Sequence, residues 1–351
     1  MYKAPRIGDT ESLGPKAGEP TIWAAKILGA GRPLRVGVLS NPLSGGHRNG
    51  LKVIRDAIAA HQDALHQEVR TPTEVASALD DFARKEVDLV AINGGDGTIQ
   101  AALTALFNRQ PFSTLPLLAV LRTGTTSMTA RDVGLEGSEE GALIKLLTWA
   151  RTGEGSPKIL RRRVLRVQSA LDSEPLYGMF FGAAGIYQGI RFCNDRLLRS
   201  GFRGEFGPGL TIVLFLLSIA SGRGRYVKPV PINIGLDGDP PEQRDWLVLL
   251  ISTLERLFLG LRPYWGTESG PLYYTAISAR PQHLLRALPS LLRGRKCRHG
   301  TPENGYFSQN VREARLTFNS GYTLDGELFT SDVGLGPVVV QDGGQASFLR
   351  L

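Results

Sequence analysis

Gly94-Gly95-Asp96-Gly97-Thr98 lies between an apolar run, Asp88–Asn93, and a stretch of helical periodicity beginning at Ile99. Glycines at the end of a buried strand let the backbone approach a phosphate and turn its N–H groups toward it. The helix that follows adds the positive end of its dipole, which suits a nucleotide polyphosphate. An acid at position 96 would repel phosphate unless a metal ion or a hydroxyl intervened. Asp96 is therefore read as a contact to nucleotide or to magnesium-bound water, against the plainer reading of a turn with an Asp cap. Two further loops share this chemistry. Asn41-Pro42-Leu43-Ser44-Gly45-Gly46 and Arg122-Thr123-Gly124-Thr125-Thr126-Ser127 each follow an apolar strand-like run. Arg122 and Arg131 carry charge that can face phosphate.

These loops need a frame that brings them to one place. Leu34–Ser40, a short strand near His66–Arg70, Asp88–Asn93 and Leu117–Leu121 read as strands. Helices are expected over Gly50–Leu65, Thr73–Arg84, Ile99–Asn108, Ser127–Asp132 and Glu139–Arg151. Such alternation predicts a parallel sheet covered on both faces, whose loops converge at the carboxyl ends of the strands. After Arg151–Pro157 the texture changes. Strands are expected at Arg161–Gln168, Leu176–Phe181, Val227–Leu236, Trp246–Ser252, Leu272–Ser278, Arg315–Asn319 and Val338–Gln341, with helices around Ile186–Leu198 and Leu210–Ser221. The ending VVVQ-DGG-QASFLRL reads as a hairpin, because Asp-Gly supplies the positive φ of a tight turn. The fold class is thus α/β followed by mainly β. A Rossmann-like parallel nucleotide domain spans 34–155 and an antiparallel β-sandwich 156–351, with the last strands free to return to the first domain. Residues 1–33 are expected to be a loosely held arm.

Composition narrows the choices. Of 351 residues, 42% are hydrophobic and 21% charged, as expected of a folded, water-soluble chain. The net charge of +8 suits anionic membranes, nucleic acid or phosphorylated ligands. No aromatic-rich basic repeat or helix-turn-helix pattern supports nucleic acid, so the membrane surface ranks first. Cys193 and Cys297 are far apart and read as free thiols of a reducing compartment. The histidines form no zinc-binding pair. The longest apolar run, Leu210–Ala220, is short of the roughly 20 residues a spanning helix needs. No secretory leader is evident, so a cytoplasmic protein is expected. The basic stretches Arg191–Phe206 and Arg293–His299 are candidates for reversible membrane contact.

NPLSGG, AINGGDGT, LRTGTTSMTARDVGL and finally Asp325-Gly326-Glu327, in this order, resemble the motif set of the diacylglycerol kinase and sphingosine kinase superfamily. The resemblance runs from Leu34 onward and includes FFGAAGIYQGIRF at the opening of the second domain. It implies a lipid kinase using ATP and Mg²⁺, with nucleotide between the domains and the lipid on the β-rich one. By position it puts Asn41, Ser44, Gly45, Thr71, Gly94, Gly95, Asp96, Gly97, Thr98 and Thr125 around ATP. Two departures stand out. Ser127 and Met128 occupy positions where the family carries Asn and Asp, which bears on how the nucleotide's metal is held. Gly266-Thr267-Glu268-Ser269-Gly270 replaces a family loop that supports a second magnesium.

Phosphoryl transfer to an alcohol needs positioning, charge neutralisation and a base for the hydroxyl proton. The resemblance assigns the catalytic acids to Asp325 and Glu327, with Asp96 a third candidate, and leaves open which takes the proton. Taken alone, Asp325-Gly326 equally reads as a hairpin turn. The acceptor is expected to be diacylglycerol, a ceramide or sphingoid base, or a related lipid alcohol, presented at a membrane. An NAD kinase is the alternative, since it shares GGDGT, although NPLSGG and the terminal DGE fit it less well. A regulatory protein that binds nucleotide or lipid but is catalytically impaired is the other. The absence of GxGxxG after the first strand argues against a dehydrogenase.

Overall fold

A computed structural model describes residues 33–44, 51–61, 64–122, 127–172, 174–199, 228–257 and 260–351, with backbone alone over 193–199. Residues 1–32 of the expected arm, Gly45, Thr125, the Leu210–Ala220 run and residues 200–206 of the Arg191–Phe206 stretch lie outside the described residues.

The first half alternates as its apolar periodicity requires: β1 (Val36–Ser40), α1 (Lys52–Ala59), β2 (Ala64–Glu68), α2 (Pro72–Arg84), β3 (Leu89–Gly94), α3 (Asp96–Arg109), β4 (Leu117–Arg122), α4 (Met128–Val133) and α5 (Glu139–Thr152). The strands are parallel in the order β2-β1-β3-β4. Both faces are buried, which explains the unbroken apolar runs of β1, β3 and β4. Leu39, Ile92 and Val120 pack with Leu79 and Phe82 of α2 and Leu103 of α3 on one face. Val38, Ala91 and Ala119 meet Ile54 of α1 and Leu143 and Leu146 of α5 on the other. The strand order reverses between β1 and β3, so the loops leaving them part and open a crevice at the carboxyl edge.

The second half contains β5 (Lys158–Gln168), β6 (Leu176–Gly178), β7 (Phe180–Ala184), α6 (Gly185–Arg199), β8 (Val230–Leu236), β9 (Glu242–Ser252), β10 (Leu272–Ser278), α7 (Leu284–Leu291), β11 (Tyr306–Val311), β12 (Glu313–Thr317), β13 (Ser320–Leu324), β14 (Glu327–Ser331) and β15 (Val338–Arg350). Its strands pair antiparallel with one another. They enclose a core that includes Leu165, Phe181, Ile251, Leu316, Tyr322 and Val340. Among the described residues no helix is long and apolar enough to cross a membrane.

Three expectations are corrected. The stretch Leu176–Phe181 is two strands, because the chain breaks at Met179. The helix after GGDGT begins at Asp96, three residues before Ile99. The C-terminal hairpin does not form: β15 is one strand that pairs with β5 on both sides of Asp342-Gly343. Its register shifts between Asp342 and Gln345, and Gly344 takes a φ of 112°, so the dipeptide makes a bulge. A Cβ at Gly343 would come within 2.9 Å of the Tyr177 ring. Past the bulge, β15 lies parallel to β4 with Phe348 opposite Leu118, so it pairs with strands of both halves. Phe348 is fully buried. Its replacement by Ala should cost about 3–5 kcal/mol of stability. Urea titration checks this, and a loss below about 1 kcal/mol would mean that β15 does not tie the halves together.

Candidate active site

The crevice between β1 and β3 is laced by side chains from the first two loops. Asn41 accepts from the Leu43 N–H at 2.9 Å, which curls its loop, and donates to Thr98 Oγ1 at 2.9 Å. Ser44 Oγ accepts from the Gly95 N–H at 2.9 Å. Gly94 must lack a side chain, since a Cβ would sit 2.6 Å from Thr98 Oγ1. Gly95 is the N-cap of α3 and brings no side-chain oxygen to the first turn. The Thr98 N–H turns back to the Gly95 carbonyl at 3.0 Å, so the Asp96 and Gly97 amides are the ones that can meet an outside acceptor, as at other anion-binding helix ends. GGDGT is a strand end, a cap and a first helical turn rather than a free loop.

Asp96 turns away from the crevice. Its carboxylate accepts from Ser127 Oγ at 2.7 Å, Met128 N–H at 2.9 Å and Thr129 N–H at 3.1 Å, capping α4. Burial pushes its carboxyl above the ordinary range, against the pull of these donors. At the other end of α4, Asp132 pairs with Arg162 of β5 at 2.8 Å, with only 5% and 14% of the two side chains exposed. Arg162 also reaches Glu255 at 3.3 Å. Helix α4 thus links the glycine turn to the β-rich half. Met128, at the family's Asp position, is buried in the core. Glu268 of the GTESG loop is likewise engaged, accepting from the Thr267 and Asn310 amides at 2.9 Å each.

Asp325-Gly326 forms the hairpin turn that the dipeptide alone predicts. Leu324 pairs with Glu327, leaving Asp325 (φ 50°) and Gly326 (φ 91°) as a two-residue turn between β13 and β14. The Asp325 carboxylate is buried and accepts from Met179 N–H at 2.9 Å and Phe180 N–H at 2.8 Å, where the chain breaks between β6 and β7. A Cβ at Gly178 would lie 2.5 Å from its Oδ2. Burial first, and then the nearby Asp96 carboxylate, hold Asp325 well above the usual carboxylate range, opposed by the two amides. Glu327 is exposed and lies against α3, because a Cβ on Gly97 would collide with its Oε1.

Gly95, Gly97 and Thr98 of the glycine turn and Glu327 of β14 therefore meet at one cleft of about 660 Å³. Asn41, Ser44, Thr71, Gly95, Gly97 and Thr98 line one side and Glu327 the other. Thr71 also caps α2 by accepting from Glu74 N–H at 3.2 Å. Gly94 stands behind Thr98, and neither Asp96 nor Asp325 is part of the cleft wall. The flank of α3 continues the wall through Ala101, Ala105 and Asn108, which sequence reasoning missed. Its signal was there: Gly97, Ala101 and Ala105 recur every fourth residue, a small-residue face on a helix. Leu328 and Phe329 were missed along with β14. A direct magnesium site at Asp96 does not fit, since both of its oxygens already hold donors. Among the described residues no three His, Cys, Asp or Glu side chains gather as a metal site. The cleft's donors fit a magnesium that arrives on phosphate oxygens and keeps its waters.

Residues 35–153 match the diacylglycerol kinase catalytic domain family. An NAD kinase of Rhodopirellula baltica is 26% identical over 190 residues, covering 53% of this chain and 53% of that protein. The chain thus spans about half the length of this curated relative. Two crystal structures from Bacillus anthracis str. Sterne share the fold at 15% identity. One, provisionally named a diacylglycerol kinase, has a TM-score of 0.60 and covers 91% of this chain and 95% of its own. The other, named a diacylglycerol kinase, has a TM-score of 0.54 and covers 90% and 96%.

A raised folded-state pKa makes Asp325 take up a proton on folding. Its stabilising contribution is complete below the ordinary 3.8 and is lost as pH rises through the folded value. Asp325→Asn keeps an accepting oxygen without the charge. Urea denaturation from about pH 4 upward should show a smaller fall in stability for this variant than for the parent. Equal slopes would mean that Asp325 ionises without cost.

Proposed function

We propose that this chain, a member of the diacylglycerol kinase-like superfamily, is a kinase that moves the γ-phosphoryl group of ATP to a hydroxyl of a membrane lipid. The observation that carries the reading is the meeting of the Gly95–Gly97 turn and Glu327 across one cleft. Phosphate fits the turn, where α3 offers the Asp96 and Gly97 amides and its positive dipole end. Asn41, Ser44 and Thr98 brace that turn, and Thr71 stands further along the wall.

Glu327 is the base in this reading, since it is the member of the DGE motif that faces the cleft. It takes the proton of the acceptor hydroxyl as the new O–P bond forms and the bond to the β-phosphate bridging oxygen breaks, releasing ADP. Magnesium, when bound on the phosphates, neutralises their developing charge. Asp325 holds the turn that carries Glu327, and Asp96 holds α4 against the glycine turn. The acceptor is a lipid alcohol such as diacylglycerol, ceramide or a sphingoid base. The enzyme is then cytoplasmic and visits the membrane surface reversibly. Labelled γ-phosphate from ATP should enter one member of a lipid panel; an unlabelled panel would overturn the lipid assignment.

The similarity to an NAD kinase favours a second reading, in which the acceptor hydroxyl belongs to NAD. Incubation with ATP and NAD separates the two, since only this second reading yields NADP.

Glu327→Gln should lower kcat by about 10²–10⁴-fold while nucleotide affinity stays within a fewfold. Gly97→Ala tests the same contact from the other side. Ala is the better helix former, so the melting temperature should hold, yet its methyl displaces Glu327 and kcat should fall. Normal turnover in Glu327→Gln would remove Glu327 as the base.

A further inference from the structure

The chain's positive charge is concentrated. Residues 279–300 hold Arg280, Arg286, Arg293, Arg295, Lys296 and Arg298 and no acid, against a net charge of +8 for all 351 residues. All six side chains are exposed, and among the described residues none of them forms an ion pair. Glu268 lies close enough to feel the charge of Lys296, but one acid does not balance six cations, and like charges grouped on one segment repel each other, so their grouping favours an anionic partner.

The segment is built rather than trailing. Helix α7 packs inward through Ala287 and Leu291. The loop after it is held by Arg262 N–H to Leu292 O at 2.9 Å and by Gly294 N–H to Leu291 O at 3.0 Å, with Gly294 at a φ of 67°. The rings of His283 and His299, at its two ends, lie 4.7 Å apart. On the side of α7 away from Ala287 and Leu291 stand Leu285 and Pro289, one helical turn apart. Leu285 is 67% exposed, an unusual state for a leucine in a folded chain.

We propose that α7 and the loop 292–299 form a docking surface for an anionic lipid bilayer. Leu285 and Pro289 enter the headgroup boundary while the cations of the same segment meet acidic headgroups. An exposed apolar helix face on a segment rich in cations, with Arg293 Nη1 donating to the Pro289 carbonyl at 3.3 Å, is the arrangement that interfacial binding rewards. Single-stranded nucleic acid would use aromatic stacking platforms, and residues 279–300 contain no Phe, Tyr or Trp. The inference deepens the lipid-kinase reading by naming the face on which the protein meets its substrate's membrane, and it rests on that reading.

Vesicle flotation of the full chain tests it without catalysis. Vesicles of phosphatidylcholine alone are compared with vesicles containing about 30% phosphatidylserine. The parent should float with the acidic vesicles and be released by about 0.5 M salt. Arg293→Glu/Arg295→Glu/Lys296→Glu should weaken the partition by at least about a hundredfold, and Leu285→Ser by about three- to tenfold. These surface variants should phosphorylate detergent-dispersed lipid at the parental rate, which also reports that they fold. Parental flotation of the charge-reversed variant would overturn the docking surface. So would tighter binding of a nucleic-acid duplex than of vesicles, unaffected by Leu285→Ser. If the parent floats but phosphorylates no lipid, the proposed function fails while the docking surface stands. If it phosphorylates dispersed lipid but does not float, the docking surface alone fails.

Discussion

A carboxylate can rest against the first turn of a helix only where no Cβ intervenes, and Gly97 supplies that gap for Glu327. The contact joins two segments far apart in sequence and creates the cleft. One partner belongs to the parallel half, where α3 starts directly from β3. The other stands on the first residue of β14, held out by a turn with two positive φ values. An exposed acid facing a helix N-terminus also occupies the electrostatic position that a phosphate would seek. Ligand phosphate and Glu327 must therefore divide that end of α3 between them.

Behind this contact two acids are spent on the backbone. Asp96 caps α4 and Asp325 caps the start of β7, each at hydrogen-bonding distances of 2.7–3.1 Å and 2.8–3.2 Å respectively. Buried carboxylates near each other are costly when ionised, and each is offset by amides that would otherwise have no partner in an irregular stretch. The acids of the two motifs thus divide into buried ones that set geometry and an exposed one available for chemistry. Motif spacing does not reveal that division, because it depends on which neighbour each side chain meets.

The parallel half was legible because its signals are local. Runs of buried apolar residues, helix caps and the small-residue loops all lie within a few positions of the elements they define. Asp-Gly shows where local chemistry ends. At 325–326 it makes a hairpin, and at 342–343 the same pair sits in a bulge of a single long strand. The difference lies across the sheet, where β5 runs past residue 342 without a break and holds both sides of it. Strands β11, β13 and β14 are short and mix polar with apolar residues, so their pairing partners define them. Helix α7 hid behind Pro289, which a sequence reader takes as a terminator. The placement of Glu327 on the cleft was legible only through the order of the motifs.

Strand β15 has a consequence for how the protein is made. Its partner β4 passes through residue 118, whereas the neighbouring residue of β15 is 348. During synthesis the nascent parallel sheet waits with its β4 edge uncovered until some 230 further residues have been made, a separation read from residues 118 and 348. An open strand edge is a template for pairing with other chains, and closures across long sequence separations are slow. Strand β15 acts as a latch, so the interval before it arrives is one in which newly made copies are exposed to aggregation.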